Sequence, residues 1–436
     1  MMNTRPILFD EALAIAKSTI LEHRLVGSIT IIRDIKGKIR LLLERNNNIS
    51  KQQCKQLCVE LSKKLGVYGY APDSIVIYKE DLIINIDYSV EQFPIYQDSQ
   101  LVIYLLDRQI SAHDWLRPPF KPTSPVPRAT FFGIKGGVGR STALILWSWI
   151  LAKEGKRVIL FDLDLESPGI SRLLLPPDFL PDYGIIDWFV ENANNQGDCI
   201  LGSIGAQSPL GKNLRGEIFV IPAFGTKTGA YVPKLARCYS PIVQDSKTWG
   251  ERLQELVNTL EQQYKPDITL LDSRSGIHDI AAVTITRMGA IAFLFAVDSI
   301  QTWQAYNFLF SYMKQHPNIK EIRQNFQIVA SMIPETGREA YLERFVTNSW
   351  DTFRDNFYDE SIASENDDSV FNAFSFDRDD EDAPHWPLSI YWHRALQEFN
   401  PFDETGNRAI DEKTIEDAMG RFHEGAMNML FNGNLR

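Results

Sequence analysis

The stretch Phe131-Phe132-Gly133-Ile134-Lys135-Gly136-Gly137-Val138-Gly139-Arg140-Ser141-Thr142 constrains this chain more than any other. An apolar run leads into it and a helical pattern follows, so it reads as a strand, a glycine-rich turn and a helix start. Gly136, Gly137 and Gly139 can take positive φ and bring backbone N–H groups close to an anion. The helix opening near Arg140 points its positive end at the same place. The stretch therefore reads as a phosphate-binding loop running from Lys135 through Val138 to Thr142. Ser141 is the hydroxyl such loops set on Mg²⁺, and Arg140 stands where a lysine would reach the terminal phosphates. The plain motif needs Gly at position 134, where this chain has Ile. The match is to the deviant form Lys-Gly-Gly-x-Gly-Lys-[Ser/Thr], with Arg140 in place of the second lysine.

Two further strands end in carboxylates. Val158-Ile159-Leu160-Phe161-Asp162-Leu163-Asp164 places two acids two residues apart at a strand's end, about 25 residues after the phosphate loop. Asp at a strand end is common in turns, but beside such a loop a site role is the better reading. Ile268-Thr269-Leu270-Leu271-Asp272 is an apolar strand ending in the Asp of a Walker B pattern, which holds Mg²⁺ directly or through water. Arg274 follows, and either senses a γ-phosphate or pairs with Asp279.

On these residues the chain resembles the ParA/MinD-like ATPases over about residues 129–340. Their signature lysine precedes the two glycines, here Lys135. The resemblance implies that Lys135 crosses a dimer interface to the partner's nucleotide, that Asp162 lies in the Mg²⁺ shell and that Asp164 positions the attacking water. It implies a structural role for His278 rather than that of a catalytic base. It also implies that the base is read near Val329–Glu335, where Ser331 stands in place of the family's frequent Asn. No Asn/Thr-Lys-x-Asp guanine motif occurs, which favours ATP. An arginine fork is not equivalent to a compact ammonium at a tight phosphate site, so slow turnover is expected with Arg140.

Strands alternate with helices from Ala129 onward and read as continuous apolar runs, as buried parallel strands do. The expected fold is α/β: a doubly wound, mostly parallel sheet with its ligand at the strands' carboxyl ends. Residues 1–115 read as a small α/β domain and 116–128, with Pro118, Pro119, Pro122, Pro125 and Pro127, as a linker. Residues 129–345 read as the ATPase domain and 346–436 as an acidic, partly helical extension. Cys54 and Cys58 fall on a helical stripe with Leu57, Leu61 and Leu65, which reads as a core face rather than a metal site.

The net charge of −11 is uneven: residues 351–436 hold 20 acidic and 7 basic side chains, a net of −13. Between Arg33 and Lys64 nine basic residues stand against three acidic ones. That run is either a surface for nucleic acid or an acidic partner, or the solvated faces of a hairpin and a helix. The second is the better reading, because no aromatic residue is interleaved to stack on bases. The acidic tail argues against DNA cargo, and the last helix lacks the basic face of a membrane-binding one. No signal peptide or membrane span is legible, so a cytoplasmic protein is expected. Two functions fit. One is a Mg²⁺-dependent, ATP-hydrolysing switch that forms a homodimer over nucleotide and controls an unknown protein partner. The other is a non-hydrolysing nucleotide-binding scaffold in a multi-gene bacterial system, such as a defence module.

Overall fold

The structure is a computed structural model that describes residues 5–45, 49–81, 92–108, 113–121, 123–239, 247–359, 373–397, 399–402 and 411–431. The chain divides into two compact units, Met1–His113 and Asp114–Arg436.

The described residues of the first unit form a five-stranded mixed sheet with two α-helices. Helix α1 (Phe9–Glu22) precedes β1 (Gly27–Arg33) and β2 (Ile39–Leu43); α2 (Lys51–Leu65) precedes β3 (Val76–Tyr78), β4 (Gln92–Gln97) and β5 (Leu101–Asp107). The strand order is β3-β2-β1-β5-β4. Ser50 caps α2 by a reciprocal pair: Gln53 N donates to Ser50 Oγ (3.2 Å) and Ser50 N to Gln53 Oε1 (3.1 Å). The stripe Leu57, Cys58, Leu61 and Leu65 is buried, together with alternate residues of β1 and β5 such as Ile29, Ile31, Ile103 and Leu105. The four cysteines are free thiols. The apolar run at residues 82–86 reads as a strand in the sequence and lies outside the described residues. Gln92–Gln97 is a strand that apolar patterning did not show; it is an edge strand whose register shifts around Pro94, where a missing N–H is tolerated. Several members of the basic run are engaged: Arg33 with Asp107, Lys64 with Glu22 and Glu60, and Arg40 over the Tyr70 ring at 3.6 Å.

The second unit holds an eight-stranded sheet. Its strands are β6 (Arg128–Gly133), β7 (Arg157–Asp162), β8 (Ala206–Gln207), β9 (Glu217–Ile221), β10 (Ile268–Asp272), β11 (Ile291–Ala296), β12 (Phe326–Ile333) and β13 (Leu388–Tyr391). Their order is β13-β12-β11-β6-β10-β7-β9-β8, and every pairing is parallel except β8 with β9. Both faces are covered, as the continuous apolar runs require. On one face Phe131, Val158, Leu160, Leu270 and Phe293 pack with α3 (Arg140–Lys153). On the other, Ile159, Phe161 and Leu271 pack with Leu253, Leu256, Val257 and Leu260 of α4 (Trp249–Tyr264). Helix α5 (Ile300–Met313) runs between β11 and β12. The sheet is thus doubly wound. Because β10 lies between β6 and β7, the loops after these three strands gather at one carboxyl edge.

Two expected boundaries differ from the structure. The division between units falls at His113/Asp114, ahead of the proline-rich stretch, and the described part of that stretch packs within the second unit. Asp114 pairs with Arg287, whose Nε donates to Pro118 O (3.1 Å), while Phe120 N donates to Arg287 O (2.9 Å). The boundary drawn at 345 falls inside α6 (Arg338–Asn356). Beyond it, the stretch read as an extension supplies β13 to the sheet and α7 (Glu412–Phe431) to the core. The acidic side chains of α7 flank a narrow buried stripe of Ile415, Ala418, Met419, Phe422 and Ala426. Phe422 lies with its ring centroid 5.8 Å from that of Phe131, 5.5 Å from Trp147 and 5.1 Å from Phe293. Lys153 of α3 pairs with Glu412 and Glu416, so part of the negative charge binds α7 to α3.

Candidate phosphate-binding site

The glycine loop leaves β6 at Gly133, where an added Cβ would meet Val138 Cγ2 at 2.9 Å and Lys135 O at 3.0 Å. Only glycine allows the turn to close that tightly. Gly137 and Gly139 both have φ of +74°, and Gly139 is the residue from which α3 starts. The first N–H groups of α3 have no partner within the helix and face the loop's concavity, a setting for an anion. Lys135, Gly136, Gly137, Val138, Gly139, Arg140, Ser141 and Thr142 line one cavity of about 460 Å³, and Asp164 joins them from the loop after β7. Lys135 is exposed.

The other two carboxylates, expected at strand ends, lie at the paired ends of β7 and β10. Asp162 and Asp272 face each other across the β7–β10 pairing and are buried to within 1 % of complete. Neither lines the cavity. Asp162 Oδ2 accepts from Ser171 N (2.9 Å) and Ser171 Oγ (2.5 Å), while its Oδ1 has no hydrogen-bond partner. Burial raises the Asp162 carboxyl to about 6, against the lowering effect of Ser171. Asp272 Oδ2 accepts from Ser141 Oγ at 3.4 Å, and burial raises its carboxyl to about 7. Ser141, Asp272 and the unpartnered oxygen of Asp162 form a donor set of the hard-oxygen kind that suits Mg²⁺. Among the described residues no cluster of three or more His, Cys, Asp or Glu could hold a metal ion by itself. A cation here would need phosphate oxygens as further ligands, which is how Mg²⁺ is commonly bound.

Arg140 departs most from expectation. Instead of extending along the loop toward terminal phosphates, its guanidinium is 9 % exposed and bridges two acids. Nη2 donates to Asp164 Oδ2 (3.0 Å), and Nε stands 2.8 Å from Asp272 Oδ1. Burial opposes its charge, but Asp272 and Asp164 outweigh that and hold its pKa above the usual arginine value. A planar fork reaches two carboxylates at once, which a lysine ammonium does with less geometric definition.

Arg274 pairs with Glu166 rather than with Asp279. Its Nη1 lies 2.5 Å from Oε1 of Glu166. Glu166 Oε1 also accepts from Tyr239 Oη (2.9 Å) and stands 3.7 Å from His278 Nε2. His278 Nδ1 accepts from Ile280 N (3.3 Å), capping the next short helix, and burial lowers its pKa. Glu166 escaped the sequence reading; its position two residues beyond Asp164, on the same strand-end loop, was the available signal.

A second cavity of about 440 Å³ shares Gly137, Gly139 and Thr142 with the first, and its far wall is Met332, Ile390, Tyr391, Trp392 and Leu396. Met332 has φ of +54°, and an added Cβ on Gly139 would come within 3.4 Å of its Cγ. Ser331, expected near the base, donates its hydroxyl to Ala296 O (3.1 Å) and is buried, so that oxygen is spent on β11.

No protein-family model and no curated protein matches the chain. Several solved structures resemble it. The septum site-determining protein MinD complexed with Mg-ADP from Pyrococcus horikoshii OT3 is 16% identical, with a TM-score of 0.41, covering 70% of this chain and 98% of that one. A ParA family ATPase from Chlorobium tepidum TLS is 14% identical, with a TM-score of 0.41, covering 68% and 99%. Cobyrinic acid a,c-diamide synthase from Mycobacterium smegmatis, with bound ATP analog and magnesium, is 16% identical, with a TM-score of 0.35, covering 53% and 81%. At that degree of likeness, function has to be argued from this chain's own side chains.

Proposed function

We propose that this chain is an ATP-binding switch of the phosphate-loop class which hydrolyses ATP slowly and forms a homodimer over nucleotide to control a partner protein. The observation that carries the reading is the glycine loop at the β6–α3 junction, with Asp162, Asp164 and Asp272 on neighbouring strand ends. Backbone N–H groups of Gly136–Thr142 hold the phosphates, and the apolar chamber beside Met332 and Tyr391 takes the base. Asp164 accepts a hydrogen bond from the water that attacks the last phosphate, and orients it. Ser141, Asp272 and Asp162 would hold Mg²⁺, which supplies charge neutralisation on the phosphate oxygens when bound. Lys135, exposed at the loop, offers the positive charge that two facing nucleotides need from the opposite subunit.

Gly139→Val tests the site. At a φ of +74° and 3.4 Å from Met332, a branched side chain is strained and crowds the loop, so ATP binding measured by calorimetry is expected to vanish. Unchanged binding would refute the assignment.

The scaffold reading keeps one specific observation on its side: Arg140 holds the two carboxylates, Asp164 and Asp272, that turnover would use. Steady-state phosphate release separates the two. In a hydrolysing protein, Asp164→Ala should keep ATP bound and lose about a hundredfold in rate. ATP binding without any release from the wild type makes the chain a scaffold.

A further inference from the structure

The two cavities on either side of the glycine loop fix the direction of a bound nucleotide. One is walled by Met332, Ile390, Tyr391 and Trp392, the other by Lys135, Arg140, Asp164, Glu166 and Arg274. A base belongs with the apolar wall, and phosphates belong with the loop amides and the cations. The phosphate chain therefore runs from Gly137 and Gly139 away from Met332, and its last member arrives at the Glu166–Arg274 end. Arg140 is already committed there to Asp164 and Asp272. Arg274 is held differently. Its ion pair with Glu166 bridges the loops after β7 and β10, and both side chains are partly open to solvent, 30 % and 23 % exposed. Breaking that pair leaves Glu166 Oε1 with the Tyr239 hydroxyl and the nearby His278 ring, while Oε2 is buried without a hydrogen-bond partner already. A phosphate carries more charge than a carboxylate and matches the guanidinium fork as well.

We propose that Arg274 reads the terminal phosphate: parked on Glu166, it transfers to the third phosphate of a nucleoside triphosphate, which a diphosphate is too short to supply. This assignment rests on the nucleotide-binding reading above and gives the site its means of telling ATP from ADP. Exchange of partners also removes one of the ties between the two loops, so occupancy by the triphosphate alone alters the surface around Glu166.

The test is equilibrium calorimetry on the full chain with AMP-PNP and with ADP, at protein concentrations where light scattering shows a monomer. Arg274→Ala is expected to lose about tenfold or more in AMP-PNP affinity, the scale of one charge-assisted hydrogen bond, and less than about twofold for ADP. Arg274→Lys should fall between. Glu166→Gln keeps an acceptor for Tyr239 but releases Arg274, and should bind AMP-PNP about threefold more tightly with ADP unchanged. Equal losses for both nucleotides in Arg274→Ala would mark a structural residue and overturn the proposal, as would no loss for either. If circular dichroism shows that Arg274→Ala does not fold, Glu166→Gln decides, and a wild-type ratio of the two affinities overturns the assignment. Wild-type protein that binds neither nucleotide refutes the nucleotide-binding reading itself, and this inference with it.

Discussion

On one side of the Gly137–Gly139 loop stand Asp164, Glu166 and Arg274; on the other stand Met332, Ile390, Tyr391 and Trp392. The first wall is ionic and comes from two loops that directly follow β7 and β10. Its charges hold one another, Arg140 with Asp164 and Asp272, Arg274 with Glu166. The second wall is apolar and depends on β13, a four-residue edge strand that packs against α7. The ionic wall thus rests on local geometry, and the apolar wall rests on a long-range assembly. Damage to the two should differ in kind.

The largest effect expected is on α7, the helix against which the strand of the apolar wall packs. Phe422 is fully buried among Phe131, Trp147, Phe293 and Phe295, so Phe422→Ala leaves a cavity beneath the sheet's central strand. A loss of roughly 3–5 kcal/mol in urea unfolding is expected. A loss below about 1 kcal/mol would mean that α7 is an appendage after all.

Why one wall was legible in sequence and the other was not follows from the same difference. Asp162, Asp164 and Asp272 each close an apolar run, so a strand-end carboxylate could be read from a few consecutive residues. The parallel sheet announced itself likewise, through runs such as Ile291–Ala296 that are buried on both faces. Ile390, Tyr391 and Trp392 sit in a stretch whose net charge of −13 hid a single narrow apolar stripe in α7 and a strand of only four residues. Side-chain partners were the least legible of all. Spacing brought Arg140 and the three aspartates to one edge, but which acid the guanidinium takes depends on how far a fork reaches in space. Ser171, which binds Asp162, lies nine residues on and had no pattern to mark it.

The ionic wall can be sharpened through Asp162, whose carboxyl burial raises from 3.8 to about 6. Between those values the folded state keeps a proton that the unfolded chain has released. Its contribution to stability therefore falls as pH rises from about 4, and the loss is complete above about 6 to 7. Asp162→Asn keeps an acceptor for Ser171 and carries no charge. Relative to wild type it should gain nothing near pH 4 and roughly 2–3 kcal/mol by pH 8, read from urea midpoints in the absence of nucleotide and metal. A pH-independent difference would show that Asp162 ionises in the folded protein as freely as in the unfolded one.

The smallest effect expected comes from the apolar wall itself, and it is the counterpart of the Arg274 experiment. Trp392 lines the chamber beside Met332 and Tyr391, at the end of the loop away from Arg274. A base seated there is common to ATP and ADP, so its loss of contact cannot depend on the number of phosphates. Trp392→Ala should weaken AMP-PNP and ADP alike, by roughly fivefold or about 1 kcal/mol, at the low end of what removing one aromatic face from a base costs. The affinity ratio between the two nucleotides should stay at its wild-type value, whereas in Arg274→Ala it should collapse. If Trp392→Ala shifted the ratio and left ADP untouched, the base and phosphate ends would be assigned the wrong way round along the loop.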